Sequence, residues 1–245
     1  MFDRCPKCDH GPLPADQAFP AACPACGVIL ARVGERAPAR VRTPPAPDDG
    51  ALRVRERLLQ VPDRVDPIAW WLRAALLAAL AAWGWWLVRA DVAEGEIGSS
   101  VIHLPLLVFH EAGHVVYRVF GETMMIAGGM LGQLTMPAIL GFALLLKNRD
   151  PFGAAVALWL FGVSLLDIAP YMYDALEPRL VLLNGQTGEE GGHDFIGLFT
   201  HFHVLARAQA IGNATHAIGT GVVLLALGWG AGLLWRQRAR IEADD

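Results

Sequence analysis

Residues 103–120 read HLPLLVFHEAGHVVYRVF. Beyond His103 at its start, two histidines and a glutamate interrupt a run that is otherwise mostly Leu, Val and Phe, and the reading of the chain turns on why they stand there. An α-helix carries residues i and i+4 on one face, so His110 and His114 present two imidazoles side by side. Glu111 lies next to them. In this H-E-x-x-H pattern the imidazoles can hold a zinc ion while the carboxylate takes a proton from water. A carboxylate at membrane depth costs on the order of 3 kcal/mol unless it is paired or bound to metal, so such groups mark a functional site. Hydrogen-bonding glue between helices would be a costly use for two His, a Glu and a small Ala-Gly pair.

Composition places this run in a membrane. Hydrophobic residues make up 54% of the 245, charged residues only 18%, and the mean hydropathy is +0.37, too apolar for an ordinary soluble domain. Five stretches are predicted to cross: 68–90, 101–120, 123–146, 152–173 and 211–235. The expected fold class is an all-α polytopic membrane protein, its metalloprotease-like domain spanning 68–245. The stretch 121–146, with Gly128, Gly129, Gly132 and Pro137, is the candidate for a re-entrant segment.

Charge sets the expected orientation. Arg53, Arg55, Arg57 and Arg64 precede the first run, whereas the following loop, DVAEGEIGSS (91–100), holds three acids and no base. Under the positive-inside rule the N-terminus is cytoplasmic and that loop external. Five crossings then leave RQRAR (236–240), Lys147 and Arg149 outside, against the same rule. Arg outnumbers Lys 18 to 2 and Ala is abundant, which suggests a bacterial source and hence the bacterial inner membrane. No basic patch with interleaved aromatics is present, so nucleic acid is not an expected partner.

All four cysteines fall in CPKC (5–8) and CPAC (23–26). Two Cys-x2-Cys knuckles offer four thiolates, enough to close a tetrahedral structural zinc site. No apolar stretch opens the chain, so residues 1–33 are expected in the reducing cytoplasm as a zinc ribbon that depends on metal to fold. A Pro- and Arg-rich linker and the amphipathic segment ALRVRERLLQV fill residues 34–67.

A catalytic zinc needs a third protein ligand and an open position for water. Asp167 is the first candidate, since it lies about as far from the inner end of its stretch as His110 and His114 do from theirs. His193 and Asp194, in the Gly-rich loop GEEGGHDF, are its rivals, and Asp174 is the last alternative. That loop is read as folding over a site that opens toward the cytoplasm.

At these residues the chain resembles the site-2 protease family of intramembrane zinc metalloproteases: HEAGH in one span, then an acidic residue in a later one. The resemblance covers roughly residues 101–175. It implies that His110 and His114 are zinc ligands and Glu111 the catalytic base. The family usually follows its later carboxylate with Gly, and neither Asp167 nor Asp174 has one. Two functions are therefore expected to compete. One is an intramembrane protease acting on a membrane protein substrate in the lipid bilayer. The other is a non-proteolytic metal-binding protein or adaptor whose ribbon docks a cytoplasmic protein partner.

Overall fold

The computed structural model describes residues 2–33, 50–183 and 185–244; the predicted Pro- and Arg-rich linker lies outside them from residue 34 to 49. The chain divides into two units, Met1–Asp49 and Gly50–Asp245. Among the described residues the regular structure is helical, and β-pairing is confined to two isolated bridges, Ala22 with Ile29 and Val181 with Thr187.

In the first unit the two Cys-x2-Cys motifs fold alike. The Cys5 amide donates to the His10 carbonyl and the Asp9 amide to the Cys5 carbonyl, at 2.9 and 2.8 Å. The Cys23 amide likewise donates to Val28 and the Gly27 amide to Cys23, both at 2.9 Å. The fourth residue after each leading cysteine is left-handed, Asp9 at φ 57° and Gly27 at φ 69°, a conformation that Gly adopts freely and Asp tolerates. Only Leu30 joins Cys5 and Cys23 in the buried centre, too little apolar volume to hold a fold without a staple.

The described residues of the second unit form seven α-helices: α1 Gly50–Leu58, α2 Pro67–Arg89, α3 His103–Tyr117, α4 Glu122–Phe142, α5 Pro151–Asp174, α6 Asp194–His201 and α7 Ala208–Asp244. A π-helical turn, Ala143–Lys147, prolongs α4. Asp66 caps α2 by accepting from the Ile68 amide, and Asp150 caps α5 by accepting from Gly153, with Pro at the first position of both helices. Helix α5 is the axis of the bundle. Of its most apolar stretch 61% is buried, against 17% for α2 and for α4, whose outer faces are free to meet lipid.

Four of these helices are long and apolar enough to cross a membrane: α2, α4 with its π turn, α5 and α7. This corrects the expected five. The helix that fails is α3, whose 15 residues rise only about 22 Å against a hydrocarbon core of about 30 Å. The expected re-entrant stretch is also displaced. Residues Glu122–Lys147 run as one long helix with Pro137 inside it, a residue that membrane helices accommodate. It is α3 that enters and leaves from one end.

The contacts show this. Trp70, near the start of α2, donates its indole hydrogen to the Leu234 carbonyl, near the end of α7, at 2.9 Å. Phe152, at the start of α5, packs with Leu233 and Leu234, and Arg57 donates to the Leu146 carbonyl in the π turn. The start of α2, the end of α4, the start of α5 and the end of α7 therefore share one end. At the opposite end Gly95, beyond α2, touches Leu180, beyond α5. Helix α3 begins beside Asp167, seven residues before α5 ends, and closes at the turn into α4. Both approaches to it lie at that opposite end. RQRAR, Lys147 and Arg149 thereby join the Arg-rich segment before α2, and the conflict left by five crossings disappears.

Candidate metal centres

Helix α3 meets α4 without intervening side chains. A Cβ on Gly113 would fall on the carbonyl oxygen of Gly128, and one on Gly132 would come within 2.5 Å of the Phe109 carbonyl. Small residues at such spacing let two backbones touch. This contact brings α4 polar groups up to α3, and they fix both imidazoles.

The His114 Nδ1 lies 2.8 Å from the Met125 carbonyl oxygen. A carbonyl only accepts, so Nδ1 carries the hydrogen and Nε2 presents a lone pair. For His110 the logic takes one more step. The Gln133 amide nitrogen donates to Asp167 Oδ2 at 2.7 Å, which turns the amide oxygen toward His110 Nδ1 at 3.3 Å. His110 Nδ1 is then also a donor, and its Nε2 also a lone pair. Both free nitrogens face one oxygen, Asp194 Oδ2, at 2.9 Å from His110 and 3.3 Å from His114. Three acceptors pointed at one another repel unless a proton or a metal ion stands among them. Tetrahedral zinc with ligands at about 2.0–2.1 Å separates neighbouring donors by about 3.3 Å, which the His114–Asp194 distance meets and the His110–Asp194 distance, at 2.9 Å, falls short of. Glu111 forms a group of its own with the two imidazoles, each of the three offering a ligand atom within 4.8 Å of the others.

Asp194 opens α6 and is held there by its neighbours. Its amide donates to the Tyr171 hydroxyl at 2.9 Å, and the His193 Nδ1 caps the helix by accepting from the Ile196 amide. The His193 ring stacks on Tyr171 with centroids 4.1 Å apart and turns Nε2 toward Asp174 Oδ2 at 3.4 Å. Asp174 Oδ1 accepts from the Arg179 and Leu180 amides at 2.7 and 3.1 Å, tying down the loop after α5.

The four candidates for third ligand thus separate. Asp194 reaches both imidazoles. Asp167 is level with the site, yet its oxygens are taken by Gln133 and by His103, whose Nδ1 is 2.8 Å away. His193 and Asp174 face each other and shape the loop. Sequence reasoning missed Gln133 and Tyr171. A lone Gln in the apolar run 123–146 was the available signal, because polar groups at membrane depth are costly without a task.

The whole arrangement lines one cavity of about 370 Å³, into which His103, Glu111, Gln133 and Asp167 also face.

The four cysteines of the first unit form the second group. Their sulfur atoms all lie within 4.8 Å of one another, Cys5 Sγ to Cys26 Sγ at 3.6 Å and Cys8 Sγ to Cys23 Sγ at 3.8 Å. Zinc–sulfur bonds of about 2.3 Å give a tetrahedral edge of about 3.8 Å, so the cage fits that ion. Burial pushes the Cys5 thiol up, but the Lys7 and Cys8 amides and the neighbouring thiols outweigh it and bring Cys5 down to about 6. The His10 amide favours the Cys8 thiolate, whereas Cys26, burial, Cys5 and Cys23 together push Cys8 up to about 12. Four thiolates cannot coexist here without a cation. The unit is therefore compatible with a small zinc-binding module.

Comparison of the chain with protein-family models, with curated proteins and with solved structures finds no match.

Proposed function

We propose that the membrane unit is a zinc metallopeptidase that cleaves a peptide bond within or beside the bilayer, with His110, His114 and Asp194 as ligands and Glu111 as general base. One observation carries the reading: two imidazole lone pairs and a carboxylate oxygen converge next to a second carboxylate at the wall of a cavity. When bound, zinc in a three-ligand site acts as a Lewis acid and brings the pKa of a water toward neutrality. Glu111 takes the proton of the attacking water and returns it to the leaving amine nitrogen. Gln133 and the Met125 carbonyl keep both imidazoles in the ligating tautomer. The Tyr171 hydroxyl accepts from the Asp194 amide, which leaves its own hydrogen for an oxygen developing charge in the cavity. The four-cysteine unit is a structural zinc ribbon, with a surface for a cytoplasmic protein partner.

Glu111→Gln tests the reading. Gln keeps the shape but cannot take a proton, so the variant retains its metal and loses cleavage of a membrane-anchored reporter, by a factor of at least about 100. If it cleaves as well as the parent, the membrane unit is a metal-binding scaffold instead.

A further inference from the structure

We infer that the metal centre opens on the face of the membrane away from the cytoplasm, so that the peptides it meets are presented in or above the outer leaflet. The sidedness stands on the fold and the charges alone; the nature of the substrate rests on the metallopeptidase reading.

Four crossings and a re-entrant α3 sort the charged residues into two sets. At the end where α2 starts and α7 finishes stand Arg53, Arg55, Arg57, Arg64, Lys147, Arg149, Arg236, Arg238 and Arg240, amid Glu56, Asp63, Asp66, Asp150, Glu242 and Asp244. At the other end stand Arg89, Arg118, Arg179 and Arg207, amid Asp91, Glu94, Glu96, Glu122, Glu177, Glu189 and Glu190. Lys and Arg near the membrane decide orientation and acids count little, so nine against four retains the first end in the cytoplasm. The thiols agree independently. The Cys unit precedes α2 with no apolar stretch between them, and a four-thiolate site belongs in a reducing compartment.

The cavity belongs to the other end. Its mouth is made by the loops beyond α2 and α5, through Gly95, Gly98, Leu180 and Gly192. Toward the cytoplasmic end the bundle is shut by a buried cluster that includes Leu80, Leu106, Trp159 and Val163. The rim is apolar: Val181 and Leu183, which line the cavity, are 73% and 69% exposed. A rim of this kind sits at the acyl boundary of the outer leaflet, where a membrane-borne peptide can slide in without first entering water.

Single cysteines report sidedness without reference to activity. In spheroplasts an impermeant maleimide should label Glu94→Cys and Glu189→Cys at once, and should label Asn148→Cys and the native cysteines only after permeabilisation. Labelling of Asn148→Cys in intact spheroplasts, or of Glu94→Cys and Glu189→Cys only after lysis, overturns the inference. A second measurement addresses the substrate. Two anchored reporters carry the same helix-breaking segment, one in the outer third of the span and one in the inner third. The outer one should be cut at least about tenfold faster by the parent protein and by neither route in Glu111→Gln. Faster cutting of the inner one overturns the assignment of substrate class. If neither is cut while the labelling stands, it is the metallopeptidase reading that falls and the sidedness that survives.

Discussion

Gln133 and Asp167 form a one-way hydrogen bond: the amide nitrogen donates to the carboxylate at 2.7 Å, and nothing in the pair can run in reverse while Asp167 is ionised. That direction is passed to His110 and decides which of its nitrogens is free. Asp167 therefore bears on the orientation of His110 through Gln133.

Asp167→Asn should keep the membrane metal but bind it about 10- to 100-fold more weakly, since Asn can also donate and lets the Gln133 amide turn over. Asp194→Ala should lose it altogether. Competition with a fluorescent zinc chelator, on protein whose ribbon zinc is counted separately, measures both. The reverse order, loss with Asp167→Asn and retention with Asp194→Ala, would return the ligand role to α5.

Gly129→Ala probes the seam between α3 and α4. A Cβ there lands on the His110 ring itself, so the ring must swing away from Asp194. The expected result is a folded protein whose cobalt spectrum has lost the membrane site. Gly141→Ala, whose nearest neighbour would be the Ala157 Cβ at an ordinary 3.4 Å, should leave the spectrum unchanged.

Zinc uptake by the cysteine unit should release protons. Cys8, held at about 12, is protonated throughout the neutral range and must give up its hydrogen to bind, so affinity rises by at least about tenfold per pH unit. Cys5, lowered to about 6, is already a thiolate above that value and adds a second proton only below it. Its contribution to the folded unit is full above the ordinary thiol value of 9.0, declines as the pH falls from there, and is gone below about 6. Zinc titrations of the full chain between pH 5 and 8 should steepen by one proton on the acid side; a flat profile contradicts the cage.

Asp174→Ala should act at a distance. It removes the acceptor of the Arg179 and Leu180 amides and the carboxylate facing His193, and so loosens the loop that carries Asp194. Metal binding should weaken by about 1 kcal/mol with two half-buried amide hydrogen bonds lost, while Asp174→Asn, which still offers an oxygen, recovers part of it. Thermal unfolding with and without added zinc separates the two effects.

Some of this was legible from local pattern. The i, i+4 spacing of His110 and His114 survives any tertiary context, and the double Cys-x2-Cys encodes its own turn geometry. The approach of Asp194 to the two imidazoles was not legible, because it lies 80 residues beyond His114 and depends on how α5 and α6 are joined. Depth along a helix places Asp167 level with them only where α3 crosses the membrane. Hydropathy cannot tell a crossing from a half-length helix that turns back, since both must be apolar. What distinguishes them here is the contact of Gly113 with Gly128, which only three dimensions reveal.

That glycine seam has a mechanical consequence. With carbonyl oxygens of one helix resting on the α-carbons of the other, α3 can neither roll about its axis nor slip by a residue without collision. The imidazoles are consequently aimed before any ion arrives, and the centre behaves as a stiff gauge. An ion content with four nitrogen and oxygen donors at about 2 Å fits it, whereas one that demands six oxygens would have to bend a backbone that has no room to give. An ion bound here would thus be sorted in part by two helices in van der Waals contact, before the chemistry of the ligands is consulted.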